Sequence, residues 1–190
     1  MKKIYIGVVG QIAAGKEVLA EYLIKNYGFT TFSLSTVIHK DLDKKGVKDF
    51  TRKTLQDIGD ELRRDFGQDV LAKRTIEILK EESRPVVITG IRNPAEIVFF
   101  KKIKGFVLVS VNAKRKIRFK RVLNRAKPWD PKTWKEFYKI DRRDYGIGQD
   151  KLGQQVGRCL NMTDYALSNN KDVGSFYKQI EKMLNKIQKP

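Results

Sequence analysis

A chain of 190 residues, 41% hydrophobic and 33% charged, is long enough to bury one core and too apolar for a disordered tail. No apolar run nears the ~20 residues of a membrane span, and a single cysteine, Cys159, excludes an intrachain disulfide and a cysteine-built metal cage. The net charge of +18 draws polyanions, and it is clustered: Lys101 to Arg143 holds sixteen basic and three acidic residues. Met1-Lys2-Lys3 leads straight into an apolar strand, without the apolar stretch and cleavage site of a signal peptide. A cytoplasmic, reducing setting with no membrane partner is expected.

In chain order, Ile4 to Val9 reads as a buried strand that stops at Gly10. Gly10-Gln11-Ile12-Ala13-Ala14-Gly15-Lys16 then fits the phosphate-loop pattern G-x-x-x-x-G-K. Val18, Leu19, Tyr22 and Leu23 follow at helical spacing, so the loop joins a strand to a helix, the context that the pattern requires. Glycines at its two ends let backbone N–H groups turn inward toward phosphate oxygens, and Lys16 can reach the β- and γ-phosphates. The eighth position, which should offer a hydroxyl to Mg²⁺, holds Glu17 instead.

Helix and strand patterns alternate from there on, as in a parallel sheet wrapped in helices. The spacing predicts a strand over 29–34, a helix over 36–45, a helix N-capped by Thr51, a helix over 70–81 and a strand at Val86-Val87-Ile88. Asn93-Pro94 with Glu96 marks a helix start, with a cap, a fixed φ and a carboxylate in the first turn. A strand over 105–111 precedes a basic helix over 113–125, and Asp130-Pro131 predicts a further helix running to about Arg143. A short helix over 154–160, a strand over 165–168 and an amphipathic helix over 173–187 close the chain. No internal repeat, low-complexity tract or linker divides it.

These residues resemble the small phosphate-loop nucleotide kinases related to adenylate kinase, in particular the predicted kinases described as dephospho-coenzyme A kinase-like or deoxynucleotide monophosphate kinase-like. The resemblance covers nearly the whole chain. It rests on Gly10 to Glu17, Ser33-Leu34-Ser35-Thr36, Thr51-Arg52 through Leu62-Arg63, Gly90-Ile91-Arg92-Asn93-Pro94, Arg121 with Arg125, Asp130 to Trp134, and Gly153-Gln154-Gln155. It implies an α/β P-loop NTPase nucleotide-kinase fold: a five-stranded parallel sheet flanked by helices, with a helical lid. The implied organisation is a single domain over 1–190, with a core at 1–111 and 153–190, a lid near 121–150 and an acceptor-binding region near 33–70.

The implied activity is transfer of the γ-phosphoryl group of ATP, with Mg²⁺, to a (deoxy)nucleoside monophosphate. Gly10, Gln11, Ile12, Ala13, Ala14, Gly15, Lys16, Glu17 and Val18 would hold the phosphates, and Asn170, beside Asn169, the adenine. Ser35, Arg52, Arg63 (or its neighbour Arg64) and Arg92 would hold the acceptor. Lys16, Arg92, Arg121, Arg125 and Arg142 would stabilise the transferring group, where electrostatics and positioning do most of the work. Relatives of this kind usually carry Asp where Thr89 stands, so the activity is expected to be weakened by that loss, with Glu17 supplying the missing metal ligand.

Two rival readings stay open. A dephospho-coenzyme A kinase-like enzyme would want a carboxylate base for its hydroxyl acceptor, where this chain has Ser33-Leu34-Ser35. Alternatively, a catalytically weak ATP-binding protein would bind RNA or another polyanion through the basic 101–143 segment. His39 is assigned no role, Cys159 is expected in the core, and Trp129 and Trp134 are expected to pack the base of the lid, with stacking on a nucleotide base as the alternative. The oligomeric state is not legible.

Overall fold

The structure is a computed structural model that describes residues 3–44, 46–47, 50–128 and 130–188; the side chains of residues 52 and 188 lie outside the description. The apolar runs become five parallel strands: β1 (Tyr5–Val9), β2 (Thr30–Ser33), β3 (Val86–Thr89), β4 (Phe106–Asn112) and β5 (Tyr165–Ser168). They form one sheet in the order β2-β3-β1-β4-β5, with β1 at its centre. Ile6 stands beside Val87 on one side and Val107 on the other, and Ser33 beside Thr89 at the sheet's edge.

Helices cover both faces, as all-parallel strands require. They are α1 (Lys16–Tyr27), α2 (Ser35–Lys44), α3 (Arg52–Phe66), α4 (Val70–Ile78), α5 (Pro94–Phe100), α6 (Arg115–Arg125), α7 (Trp134–Tyr145), α8 (Val156–Leu160) and α9 (Val173–Gln188). The pleat sends alternate residues to opposite layers. Val86, Ile88 and Leu108 pack with Leu34, Leu62, Leu71, Ile97, Phe100 and Cys159. Ile6, Val8, Val87 and Val109 pack with Leu19 and Leu23 of α1 and with Phe176 and Ile180 of α9. A small third cluster of Ile12, Val122 and Phe137 fastens α6 and α7 to the phosphate loop. Among the described residues no helix is long and apolar enough to cross a membrane.

Local signals set most boundaries. Thr51 caps α3 and Asn93 caps α5, the latter with Glu96 closing the capping box and Pro94 in the first turn. Several expectations change, the helices expected from residues 113 and 154 starting at Arg115 and Val156. The helix expected from Asp130 starts at Trp134, because Thr133 and Glu136 form the capping box while Asp130 is taken by Arg125. The helix expected to reach residue 81 ends at Ile78. Gly105 is left out of β4: its φ of +83° makes it a turn, although its carbonyl still accepts the N–H of Tyr5. The expected helix end at Lys45 and the packing of Trp129 lie outside the described residues.

Candidate active site

The loop 10–16 leaves the C-terminal end of β1, where open α/β sheets present their ligand crevice. Ala14 donates its N–H back to the Gln11 carbonyl at 3.2 Å, and Ala13 takes a φ of +56°, a left-handed conformation costing a non-glycine residue roughly 1–2 kcal/mol. Gly15 is the N-cap of α1, and no side chain caps that helix. Its first N–H groups, with the positive end of the helix dipole, are therefore available to an anion. Lys16 Nζ folds over the loop and donates to the carbonyls of Gly10 (2.7 Å) and Gln11 (3.0 Å).

The loop is clamped by residues far away in sequence. Asn169, buried at the exit of β5, donates Nδ2 to the Ala14 carbonyl at 3.0 Å. A Cβ on Gly15, whose φ is +111°, would stand 2.0 Å from that Nδ2, so only glycine fits. Arg121 joins the two: Nη1 reaches the Ala14 carbonyl at 3.3 Å, while Nη2 reaches the Asn169 carbonyl at 2.9 Å and its Oδ1 at 3.1 Å. Burial pulls the Arg121 guanidinium below its usual pKa. Of the two asparagines, the sequence reading favoured Asn170; it lies one residue farther on, accepting the N–H of Lys114 at 2.7 Å.

Beneath the lid lies a network that the sequence reading missed. Asp141 of α7 is fully buried and receives Arg118 through both its oxygens, Arg115 Nε at 3.0 Å and Gln11 Nε2 at 2.9 Å. Arg118 also donates to the Ile12 carbonyl at 3.3 Å. The buried Arg118–Asp141 pair thus joins α6 to α7, and its hydrogen bonds with Gln11 and Ile12 hold both helices against the phosphate loop. Arg125, expected at the transferring group, instead forms a fork with Asp130 at 2.6 and 2.9 Å and lies 3.8 Å from Glu17. Asp130, bound through both its oxygens, is the closer partner for it.

Around the strand end that carries Arg92, guanidinium groups are matched by carboxylates. Arg63, 2% exposed, donates Nη2 at 2.8 Å and Nε at 3.1 Å to Glu96, which is fully buried. The other Glu96 oxygen accepts the N–H groups of Arg92 (2.8 Å) and Asn93 (3.0 Å). Arg63 also meets Asp60 at 3.2 Å, and Arg143 reaches Asp57 at 2.7 Å and Asp60 at 3.0 Å. Burial lifts the Asp60 carboxyl above its ordinary range in spite of Arg63 and Arg143. Arg92 Nη1 donates to Asp144 at 2.9 Å and to Gln154 at 2.8 Å. Arg63 and Arg92 both line a cavity with Leu34, Ser35, Ile38, Leu55 and Gln154, Arg63 almost fully buried against Glu96 and Arg92 27% exposed. Gln56 continues that lining into a wider opening between α3 and α7, beside Lys53, Tyr138, Arg142 and Arg143. Ser35 Oγ lies 2.7 Å from Ser33 Oγ, and Arg142 is exposed against Tyr138. The Arg52 side chain lies outside the described residues. Asp141 and Asp144 carried no motif of their own, and Glu96 was readable only as the first-turn carboxylate of α5, not as the partner of Arg63.

Mg²⁺ finds a poor donor set in the chain itself. Among the described residues no group of three His, Cys, Asp or Glu is placed to hold a metal. Glu17, expected to supply a ligand, accepts Lys127 Nζ at 3.1 Å. Burial raises its pKa, but that hydrogen bond and the charges of Lys127, Arg125 and Lys16 outweigh it and hold the carboxyl below its usual range. The residues do not fit a protein-held Mg²⁺, which commonly keeps water and binds through nucleotide phosphates.

No family model matches the chain. A UPF0200 protein of Methanothermobacter thermautotrophicus is 30% identical over 189 residues, spanning 98% of this chain and 92% of that one. Among solved structures, a shikimate kinase from Bacteroides thetaiotaomicron aligns with a TM-score of 0.63 at 13% identity, over 98% of this chain and 99% of its own. The dephospho-CoA kinase from Campylobacter jejuni aligns with a TM-score of 0.51 at 18% identity, over 97% of each chain. The five-stranded parallel sheet with its flanking helices is the fold of the P-loop kinases.

Proposed function

Because the chain belongs to the UPF0200 family, whose name states no activity, we propose its function from the site: an ATP-dependent phosphotransferase that moves the γ-phosphoryl group to a (deoxy)nucleoside monophosphate. One observation carries this reading. The loop 10–16 runs from the central strand into an uncapped helix N-terminus, with the Lys16 ammonium curled over it. Backbone donors and one adaptable cation are what a polyphosphate tail needs. Lys16 would exchange two carbonyl contacts for phosphate oxygens. Arg121, tied to both the loop and Asn169, supplies fixed positive charge at the same end. The cavity beside Arg92 and Ser35 would take the acceptor, with Arg142 at the wider mouth. A monophosphate acceptor is already ionised, so no general base is required. The kinase fold of the structural neighbours supports the reaction class.

A second reading, a hydroxyl acceptor such as dephospho-coenzyme A, draws on a specific feature. Asp144 is a buried carboxylate bound to Arg92 and Gln56, two residues that line the same cavity, and could serve as a base there. ADP release with ATP and Mg²⁺ across nucleoside monophosphates and dephospho-coenzyme A decides between them. Monophosphate-dependent turnover that falls by about 10²–10³ in Lys16→Ala supports the first reading. Turnover that survives Lys16→Ala, or none with any monophosphate, overturns it. Dephospho-coenzyme A turnover that drops by about 10²–10⁴ in Asp144→Asn would establish the second.

A further inference from the structure

Phosphoryl transfer leaves unexplained the outer side of the lid, where charge and aromatic surface occur together. The three acidic residues of the basic 101–143 segment do not neutralise it. Asp130 and Asp141 are buried against Arg125 and Arg118, and Glu136 accepts the backbone N–H groups of Lys132 and Thr133. Lys116 and Lys120 on α6, and Lys135 and Lys139 on α7, are exposed. Their spacing of four puts each pair on one side of its helix.

Large rings lie among these cations. Trp134 and Tyr138, also four apart, are 43% and 37% exposed, with ring centroids 6.5 Å apart. Phe119 meets Trp134 edge-on at 5.1 Å and Phe137 lies 5.7 Å away, so the indole is held at its base while one side faces solvent. The guanidinium groups of Arg115 and Arg142 sit 5.0 and 5.6 Å from the Tyr138 ring centre. Rings and guanidinium planes at solvent, bordered by lysines, provide stacking faces beside a track of positive charge. Duplex nucleic acid hides its base faces, and two rings are too little apolar surface to hold a bilayer.

We propose that the ridge formed by Trp134, Tyr138 and Arg115, with the lysines of α6 and α7, binds single-stranded nucleic acid. Bases stack on the rings and guanidinium planes, while the lysines follow the phosphates. This surface adjoins the wider opening lined by Tyr138 and Arg142, and Arg115 also reaches Asp141, which holds Gln11 of the phosphate loop, but its proposed binding does not depend on phosphoryl transfer.

The test is fluorescence anisotropy of the full chain with labelled single-stranded RNA and DNA of about 16 nucleotides and with a duplex of the same length. Single strands are expected to bind more tightly than the duplex. Trp134→Ala/Tyr138→Ala should weaken single-strand binding by about tenfold or more. Lys116→Glu/Lys120→Glu, whose exposed side chains carry no folding risk, should lower the salt slope by about two. Lys16→Ala should bind nucleic acid as the parent chain does, so that loss of turnover and loss of this surface are separable. The proposal is overturned if duplex binds as well as single strands, if the aromatic double variant is folded and binds unchanged, or if anionic vesicles capture the chain while oligonucleotides do not.

Discussion

The two ends of the candidate site are built by opposite means. At the end proposed to hold the phosphoryl donor, the parts are backbone: a loop of amides, a helix N-terminus without a cap, and a glycine seated where a methyl group would strike Asn169. At the end proposed to hold the acceptor, the parts are charged side chains, with Arg63, Arg92 and Arg143 facing Asp57, Asp60, Glu96 and Asp144. The first arrangement leaves positive potential for a ligand to use. The second spends most of its potential on internal pairing and gains fixed geometry, because a buried pair is costly to break but need not add net stability. A net charge of +18 is therefore a poor guide to the field in the acceptor cavity.

Three substitutions probe that contrast. Glu96→Ala should have the largest effect, since it leaves the buried Arg63 guanidinium without its main partner and two N–H groups without an acceptor. A loss of about 3–5 kcal/mol in urea unfolding is expected, with ATP affinity retained while the chain stays folded. Gly15→Ala should do the reverse. Positive φ costs roughly 1–3 kcal/mol of stability, but displacement of Asn169 breaks the clamp on the loop, and ATP affinity by calorimetry should drop more than tenfold. Equal effects of the two changes on stability and affinity would erase the distinction. Glu17→Gln should matter least, because its carboxylate is 63% exposed and such pairs are worth about 0–1 kcal/mol. The folded Glu17 carboxyl is held below its ordinary value, so its contribution is present above that value and fades as pH falls through the lowered one. Melting temperatures of parent and variant should accordingly differ slightly at neutral pH and converge in acid.

The donor end was legible because its determinants are local. A β-branched run, a glycine, a second glycine and a lysine within one short stretch specify strand, loop and helix together, and Asn93-Pro94 with Glu96 did the same for α5. The acceptor end was not, since its contacts join positions far apart. Arg63 reads as a phosphate ligand on an amphipathic helix, and nothing near it in the sequence signals its pairing with Glu96. Arg125 reads as a lid arginine, and Asp130 claims it instead. Arg118 and Asp141 were passed over because a helix rich in lysine and arginine gives no sign of which cation is buried. The same competition moved the start of α7, where Asp130 was a plausible cap on its own and lost that role to Thr133.

The clamp on Ala14 and Gly15 is delivered by residue 169, at the exit of β5. A nascent chain on the ribosome therefore carries its Gly10-to-Lys16 segment long before that segment can be fixed, and the loop takes its clamped form only after β5 has joined the sheet.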